Sequence, residues 1–124
     1  MPRWVVIRNR TRGGGIVARA RWCESFVCRL RGLMLSSPPP SGTGLLLVEN
    51  RPGRWNTAIH MFAMRFPIGA VWIDDRMVVV DARRAPAWAV CVPAAAARFT
   101  LEALPDVLDR VGVGDELEFE DDPR

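Results

Sequence analysis

The chain has 124 residues, 49% of them hydrophobic, with 17 basic and 14 acidic side chains and a net charge of +3. A chain of this length is expected to form one domain, over residues 1–124, with a core of its own. The first apolar run, Trp4 to Ile7, is too short for a membrane span or the core of a signal peptide. These features exclude a transmembrane protein and predict a cytoplasmic protein with no membrane association.

Every basic residue is arginine, and the charges are unevenly distributed along the chain. Ten arginines but only Glu24 and Glu49 precede residue 59, whereas nine acids follow residue 100. Such oppositely charged ends can face each other in the fold, or they can leave one basic and one acidic face.

Most of the chain is predicted to form short strands, because its apolar runs are brief, β-branched and bounded by turn residues. The one clear change of period lies in Ser25–Leu35, where Phe26, Leu30 and Leu33 fall at helical spacing. Ser25 is a suitable N-cap and Gly32 a suitable end for this helix. One helical turn is expected at 105–110. The other predicted strands are Trp4–Ile7, Ile16–Trp22, Leu45–Val48, Arg98–Leu104 and Glu116–Phe119.

The central stretch, residues 59–80, contains the only histidine and the longest β-like runs. Ile68–Ile73 and Met77–Val80 flank the short polar segment 74–76, a pattern that predicts a hairpin with a tight loop. Both runs are apolar at nearly every position, which indicates strands that are buried on both faces. With about eight short strands and one or two short helices, we expect a mainly β (α+β) fold, a small antiparallel β barrel.

Several short motifs occur in a specific order over residues 16–119. They are Arg31–Met34, Gly44–Leu47, Ile59–Ile68, Val78-Val79, Pro86, Leu101-Glu102 and Gly112–Asp115. Together they resemble the prokaryotic domain-of-unknown-function family 192, which implies a small, mainly β, barrel-like domain and no established activity. The family usually has Asp two places after the central proline, where this chain has Gly69, so a polar site that this Asp forms in relatives would be lost or replaced here.

The three cysteines, Cys23, Cys28 and Cys91, are too few and odd in number for a disulfide framework, so reduced thiols are expected. With His60 they would complete a Cys₃His zinc set, but the four-residue gap between Cys23 and Cys28 is not a zinc-knuckle spacing. We therefore expect no metal and no cofactor.

Catalytic and nucleic-acid functions find weaker support in the sequence. No serine lies in a nucleophile-elbow pattern, and Asp74 and Asp75 are best explained as turn residues. His60 could still act as an acid–base group in a hydrolase-type enzyme, which stays the first alternative. An Arg-rich nucleic-acid-binding module is a second, less favoured alternative, because acidic residues at the other end of the chain would repel phosphate.

The favoured hypothesis is a monomeric, non-catalytic binding or accessory module that recognises a small molecule, a peptide or a protein partner. Its predicted ligand-binding residues are His60, Arg65, Arg31 and Trp55. Arg65 would hold an anionic group, His60 would form a hydrogen bond, Arg31 would come from the helix, and Trp55 would supply an apolar wall. Polar residues that flank the most apolar hairpin motivate this choice.

Overall fold

The computed structural model describes residues 2–34 and 36–123. Nine strands and one α-helix follow in chain order, with 3-10 helices at Arg10–Arg12 and Pro105–Asp109. The helix is α1 (Phe26–Arg31). The strands are β1 (Trp4–Asn9), β2 (Gly15–Cys23), β3 (Thr43–Gly53), β4 (Ile59–His60), β5 (Ile68–Ile73), β6 (Val79–Ala85), β7 (Val90–Cys91), β8 (Ala97–Ala103) and β9 (Leu117–Asp122).

Seven strands form one curled sheet in the order β6-β5-β8-β3-β2-β1-β9, and β4 pairs with β7 in a separate ribbon. All neighbours in the large sheet are antiparallel except β2 and β3, which run parallel. The sheet curls into a half-barrel. The structure therefore confirms a mainly β fold with few short helices, and adds that the sheet is mixed.

The two edges of the curled sheet meet at one end. Val78, just before β6, bridges to Glu116, just before β9. The Leu117 N–H donates to the Met77 carbonyl (2.8 Å), and the Val79 N–H donates to the Asp115 carbonyl (2.9 Å). These bonds hold the half-barrel closed on that side.

Alternation of side chains along the strands gives the sheet a buried core on each face. One cluster contains Ile7, Leu46, Val71 and Leu101, and the 3-10 helix at 105–109 packs on it. The other cluster contains Leu45, Leu47 and Trp72 and is covered by residues 59–64. Every residue of β5 is buried, as its uninterrupted apolar sequence predicts.

The predicted helix and hairpin are confirmed in kind, but α1 ends already at Arg31. The second hairpin strand is β6, which lies at Val79–Ala85 and is mostly not buried, so burial on both faces holds for β5 alone. The Ser25 side chain accepts from the Cys28 N–H as N-cap of α1, and Gly32 is its C-cap; Leu35 lies outside the described residues. β5 and β6 pair as a hairpin. Asp74 Oδ1 accepts from the Arg76 and Val78 N–H groups, which confirms its role in the turn.

Two details of the sequence interpretation are wrong. The ribbon of β4 and β7 was not predicted, since each strand has only two residues. The last strand was expected to end at Phe119, but β9 continues to Asp122, which pairs with Trp4. The strand persists there because β1 supplies a hydrogen-bonding partner along its whole length.

The expectation of reduced cysteines is also wrong for two of the three. Cys23 and Cys28 form a disulfide with 5.7 Å between their Cα atoms, whereas Cys91 is a buried free thiol. The cause is local: β2 ends at Cys23 and α1 begins three residues later, so the first turn of the helix brings Cys28 back beside the strand end. The bridge therefore ties α1 to the sheet.

Within residues 2–34 and 36–123, no three histidine, cysteine or acidic side chains cluster as metal ligands would. In the same residues, no helix has the length and apolar character needed to cross a bilayer.

Candidate ligand-binding cavity

A cavity of about 60 Å³ lies between the end of α1 and the sheet face that carries β3 and β8. Residues 29–33 cover it, and residues 56–60 with Met64 form one wall. Thr100 and Glu102 of β8 line it from the sheet. The cavity has room for a group of a few heavy atoms or a few waters.

Glu102 is the buried acid at this cavity. Alternation in β8 places it on the same face as Thr100, and its cross-strand partners are Leu45 and Ala70. Glu102 is only 5% exposed. Burial raises the pKa of its carboxyl to about 7, and a backbone hydrogen bond from Leu33 partly offsets that rise. Among the described side chains, no arginine lies within ion-pair distance of Glu102.

Gly32 allows the end of α1 to pass directly over this carboxyl. It has φ = 52°, and a Cβ built on it would lie 3.0 Å from Glu102 Oε1. A side chain at this position would be strained and would also press on the acid. The segment Arg31-Gly32-Leu33 at the end of α1 therefore covers the cavity, with its backbone facing Glu102.

His60 connects the cavity to the α1 segment. Its Nε2 lies 3.0 Å from the Leu30 carbonyl oxygen, which can only accept, so Nε2 carries a proton in this contact. In the neutral ring Nδ1 is then an acceptor. Nδ1 is buried and has no hydrogen-bond partner among the described residues. The ring also stacks on Phe62, with 5.2 Å between centroids.

The two arginines at the cavity differ in their partners. Arg29 forms an ion pair with Glu49 (Nε–Oε2 3.2 Å), and both side chains are less than one-fifth exposed. Arg31 is exposed, and no ion pair is seen for it in residues 2–34 and 36–123. Arg31 is therefore free to meet an anionic group at the mouth of the cavity.

The structure brings together two of the four predicted ligand-binding residues. His60 and Arg31 line the cavity. Trp55 is 77% exposed, and Arg65 is exposed in the loop after β4; neither belongs to the lining. Trp55 precedes Asn56 and Arg65 follows Met64, both of which do line it. The roles in ligand binding that the sequence suggested for Trp55 and Arg65 stay predictions.

Sequence reasoning did not single out Glu102 as a site residue. Arg98–Leu104 was recognised as a strand, and a lone acid in a strand is ordinarily assigned to the solvent face. The available indication was the pairing of Glu102 with Leu101 in a motif. Arg98, Thr100 and Glu102 share one face of β8, which is the pattern of a solvent-facing side and does not reveal a buried acid.

Gly69 lies on the other face of the sheet from the cavity. A Cβ there would lie 2.6 Å from Val107 Cγ1 and 3.2 Å from the Leu104 carbonyl oxygen. In this chain the position is filled by the 3-10 helix at 105–109. The glycine therefore serves close packing, and its lack of a side chain leaves the Glu102 cavity unaffected.

The basic N-terminal strands are largely neutralised. Because β1 lies between β2 and β9, arginines of the first strands face acids of the last. The two ends of the charge distribution thus meet in the fold. The pairs are Arg3–Asp121, Arg8–Glu120, Arg10–Glu116, Arg12–Asp115 and Arg19–Asp122.

The fold and the cavity together define a class of small, mainly β half-barrel with a buried acid beneath a helix end. The chain belongs to the DUF192 family, described as "Uncharacterized ACR, COG1430", whose model matches residues 7–119.

Two relatives agree with this assignment, and a solved structure shares the fold. The chain is 33% identical over 114 residues to a UPF0127 protein of Thermococcus sibiricus, covering 90% of this chain and 73% of that protein. It is 34% identical over 97 residues to a UPF0127 protein of Thermococcus gammatolerans, covering 78% of this chain and 62%, less than two-thirds, of that one. The fold is similar (TM-score 0.81, 18% identity, 96% and 94% coverage) to a Sinorhizobium meliloti 1021 protein titled "putative transcription regulator".

Four of the motifs that carry the family resemblance meet at the cavity. They contribute Arg31-Gly32-Leu33, Leu47, the segment with Ile59, His60 and Met64, and Glu102. A fifth motif, Gly112–Asp115, has a structural role instead: Asp115 Oδ2 accepts from Asn9 Nδ2 (2.8 Å) and the Gly112 N–H (2.9 Å). The Asn9 bond is the main cause that lowers the pKa of Asp115.

Proposed function

We propose that the protein is a non-catalytic binding module whose ligand places a polar group in the cavity over Glu102. The observation that carries the proposal is the buried carboxyl of Glu102, without an ion-pair partner in the described chain, at the place where four family motifs converge. Burying an acid costs stability unless something pairs with it. A ligand group that pairs with Glu102 would recover that cost.

The acceptors in the cavity define the chemistry of the ligand. Ionised Glu102 accepts hydrogen bonds at both carboxylate oxygens. The complementary group is an amine or a hydroxyl, which supplies N–H or O–H donors. Arg31 at the mouth suits a carboxylate or phosphate elsewhere on the same ligand. A volume of about 60 Å³ admits one such small group, so the rest of the ligand would extend out of the cavity. Arg65 and Trp55, which follow and precede lining residues in the chain, would be available to contact it.

Binding is favoured over acid–base catalysis by the state of His60. One ring nitrogen is occupied by the Leu30 carbonyl and the other is buried, so neither is presented to a substrate. A general base needs a nitrogen within hydrogen-bond reach of the proton that it removes. His60→Ala separates the alternatives, since a binding module loses affinity whereas an enzyme keeps substrate binding and loses turnover.

The test is an amide NMR titration of the protein with three small probes: ethanolamine, β-alanine and acetate. We expect the first two, which carry an ammonium donor, to shift the amides of Leu33, His60 and Glu102, and acetate to shift them far less. Glu102→Gln should abolish the response. Glu118→Gln is the matched control, because it makes the same change on an exposed strand position.

The proposal fails if neither amine probe shifts those amides, or if Glu102→Gln and the wild-type protein respond alike. Responses to acetate and β-alanine but not to ethanolamine would show a site for anions and would assign the binding to the arginines.

A further inference from the structure

Six large apolar side chains stand exposed around the mouth of the cavity, and they form a surface that we call the apolar end. They belong to α1, to the loop after β4 and to the segment that leads into β7. Each is between 47% and 72% exposed; they are Phe26, Val27, Leu30, Phe62, Trp88 and Val90.

The apolar end is one continuous surface. Phe62 contacts Trp88 with 6.4 Å between ring centroids, and it stacks on His60. His60 is the cross-strand partner of Val90 and contacts the backbone of Leu30. Phe26 and Val27 lie four and three residues before Leu30, which places them beside it on the helix. Exposed apolar side chains that occur singly need no explanation, but a contiguous patch marks an interaction surface.

The backbone is strained in the two loops that carry the aromatic rings of Phe62 and Trp88. Trp88 has φ = 69°, and Ala63, next to Phe62, has φ = 58°. Two backbone bonds of 2.6 Å fix the loops together, from Met61 N–H to Ala89 O and from Trp88 N–H to Met61 O. A bulky residue adopts a positive φ only where the surroundings impose it, and such strain gathers at functional sites. Here it projects a tryptophan ring that is 65% exposed.

Arginines without acid partners border the apolar end. Arg31 lies on α1 beside Leu30, Arg21 shares a groove with Val27 and Arg31, and Arg65 follows Phe62 in the same loop. In the described part of the chain, none of the three takes part in an ion pair. Of the acids near α1, Glu49 is paired with Arg29 and Glu24 is exposed before the helix. The surface is thus apolar at its centre and positively charged at its margin.

From this combination we propose that the apolar end docks on the surface of an anionic lipid bilayer. Projecting tryptophan and phenylalanine rings enter the boundary between headgroups and acyl chains, and arginines at the margin meet the lipid phosphates. This is contact with one leaflet, and it needs no spanning helix. A second copy of the chain fits less well, because a symmetric contact would bring two positively charged margins together. The proposal does not depend on the cavity ligand.

The test is co-sedimentation of the protein with vesicles of pure phosphatidylcholine and with vesicles that also contain phosphatidylglycerol. We expect binding to the anionic vesicles, a blue shift of tryptophan emission on binding, and loss of binding at high salt. No binding to the anionic vesicles overturns the proposal. Equal binding to both kinds of vesicle also overturns it, since the arginines would then have no role. Self-association without lipid, seen by light scattering and lost with the same variants, would assign the surface to a second copy.

Matched variants locate the contact. Phe62→Ser combined with Trp88→Asn should weaken partition by at least about tenfold, because two rings no longer enter the interface; asparagine tolerates the positive φ at residue 88. The control is Ile16→Ser with Val113→Ser, which removes two exposed apolar side chains elsewhere. Arg31→Gln and Arg65→Gln should each cost about fivefold on anionic vesicles, whereas Arg76→Gln and Arg84→Gln should not.

Folding of each variant is checked by its thermal unfolding. Equal losses of vesicle binding for the test and control variants would contradict the assignment of the contact to the apolar end. Glu102→Gln should leave vesicle binding unchanged, so failure of the cavity proposal and failure of this one are distinguishable.

Discussion

The sheet edge formed by β1, β2 and β9 differs sharply from the apolar end. At that edge the apolar side chains are buried or half-buried, apart from Ile16, and five arginines face five acids. At the apolar end six large apolar side chains are exposed, and Arg21, Arg31 and Arg65 have no ion pair in the described chain. The two regions belong to one fold, so stability alone does not explain the difference.

The comparison shows where the chain departs from the arrangements that stabilise a fold, namely buried apolar side chains and paired charges. At the sheet edge, the hydrophobic pattern, the strand pairing and the burial of side chains are all consistent with one another, as expected in a region with a purely structural role. Around the cavity a buried acid, a strained tryptophan and exposed apolar side chains depart from those arrangements together. Such departures persist where function requires them.

The largest expected difference between the two regions is in the stability lost when an apolar side chain is truncated. Ile7 at the sheet edge is fully buried, so Ile7→Ala should lower the free energy of unfolding by about 2–5 kcal/mol. Leu30 at the apolar end is 56% exposed, so Leu30→Ala should change it by less than about 0.5 kcal/mol. Urea unfolding measures both. A cost for Leu30→Ala close to that for Ile7→Ala would show that α1 is packed against something.

The next effect is the pH dependence that Glu102 introduces. Its pKa is about 7 in the folded protein and has the ordinary value of 4.5 when unfolded, so folding favours the protonated acid. The stabilisation is complete below pH 4.5 and is lost as the pH rises through 7, by about 3 kcal/mol in total. Unfolding of the wild-type protein and of Glu102→Gln, compared across this range, isolates the effect. Parallel curves for the two proteins would contradict it.

The disulfide should have a somewhat smaller effect. Cys23–Cys28 closes a short loop, so its reduction is expected to lower the free energy of unfolding by about 2 kcal/mol. Unfolding with and without dithiothreitol measures the change. The variant Cys23→Ala/Cys28→Ala is the control, since the reductant should not alter it. Equal stability of the oxidised and reduced protein would mean that α1 holds its place without the bridge.

The smallest expected difference between the two regions is in the stability lost when an arginine is replaced. Arg10 pairs with Glu116 on the surface, and Arg10→Gln should cost about 0.2–1 kcal/mol at low salt. Arg31→Gln should have no measurable effect on unfolding, because Arg31 has no ion pair within residues 2–34 and 36–123. High salt should remove the difference between the two variants. A larger loss for Arg31→Gln would reveal a structural partner.

The sequence was sufficient for most of the architecture because local chemistry determines it. Ser25 and Gly32 bound α1, Asp74 makes the hairpin turn, and the unbroken apolar run of β5 is buried throughout. The pairing of β1 with β9 also accounts for the uneven distribution of charge.

The site was only partly predictable because its geometry depends on contacts between distant segments. His60 and Arg31 could be selected as polar groups beside apolar segments. Glu102 was missed because tertiary packing decides which face of the sheet α1 covers. Gly32 likewise acquires its role only when it lies over that acid. The disulfide likewise depends on α1 beginning immediately after β2, which a count of cysteines does not reveal.

The most direct test of this account is the titration of the Glu102 carboxyl, followed by carbon-13 NMR and assigned by comparison with Glu102→Gln. The account predicts a pKa of about 7, because the carboxyl is buried beneath α1 and no arginine in the described part of the chain neutralises it. Titration near the ordinary value of 4.5 would contradict it, since the acid would then be solvated or paired and the cavity would lack the group on which binding is proposed to depend.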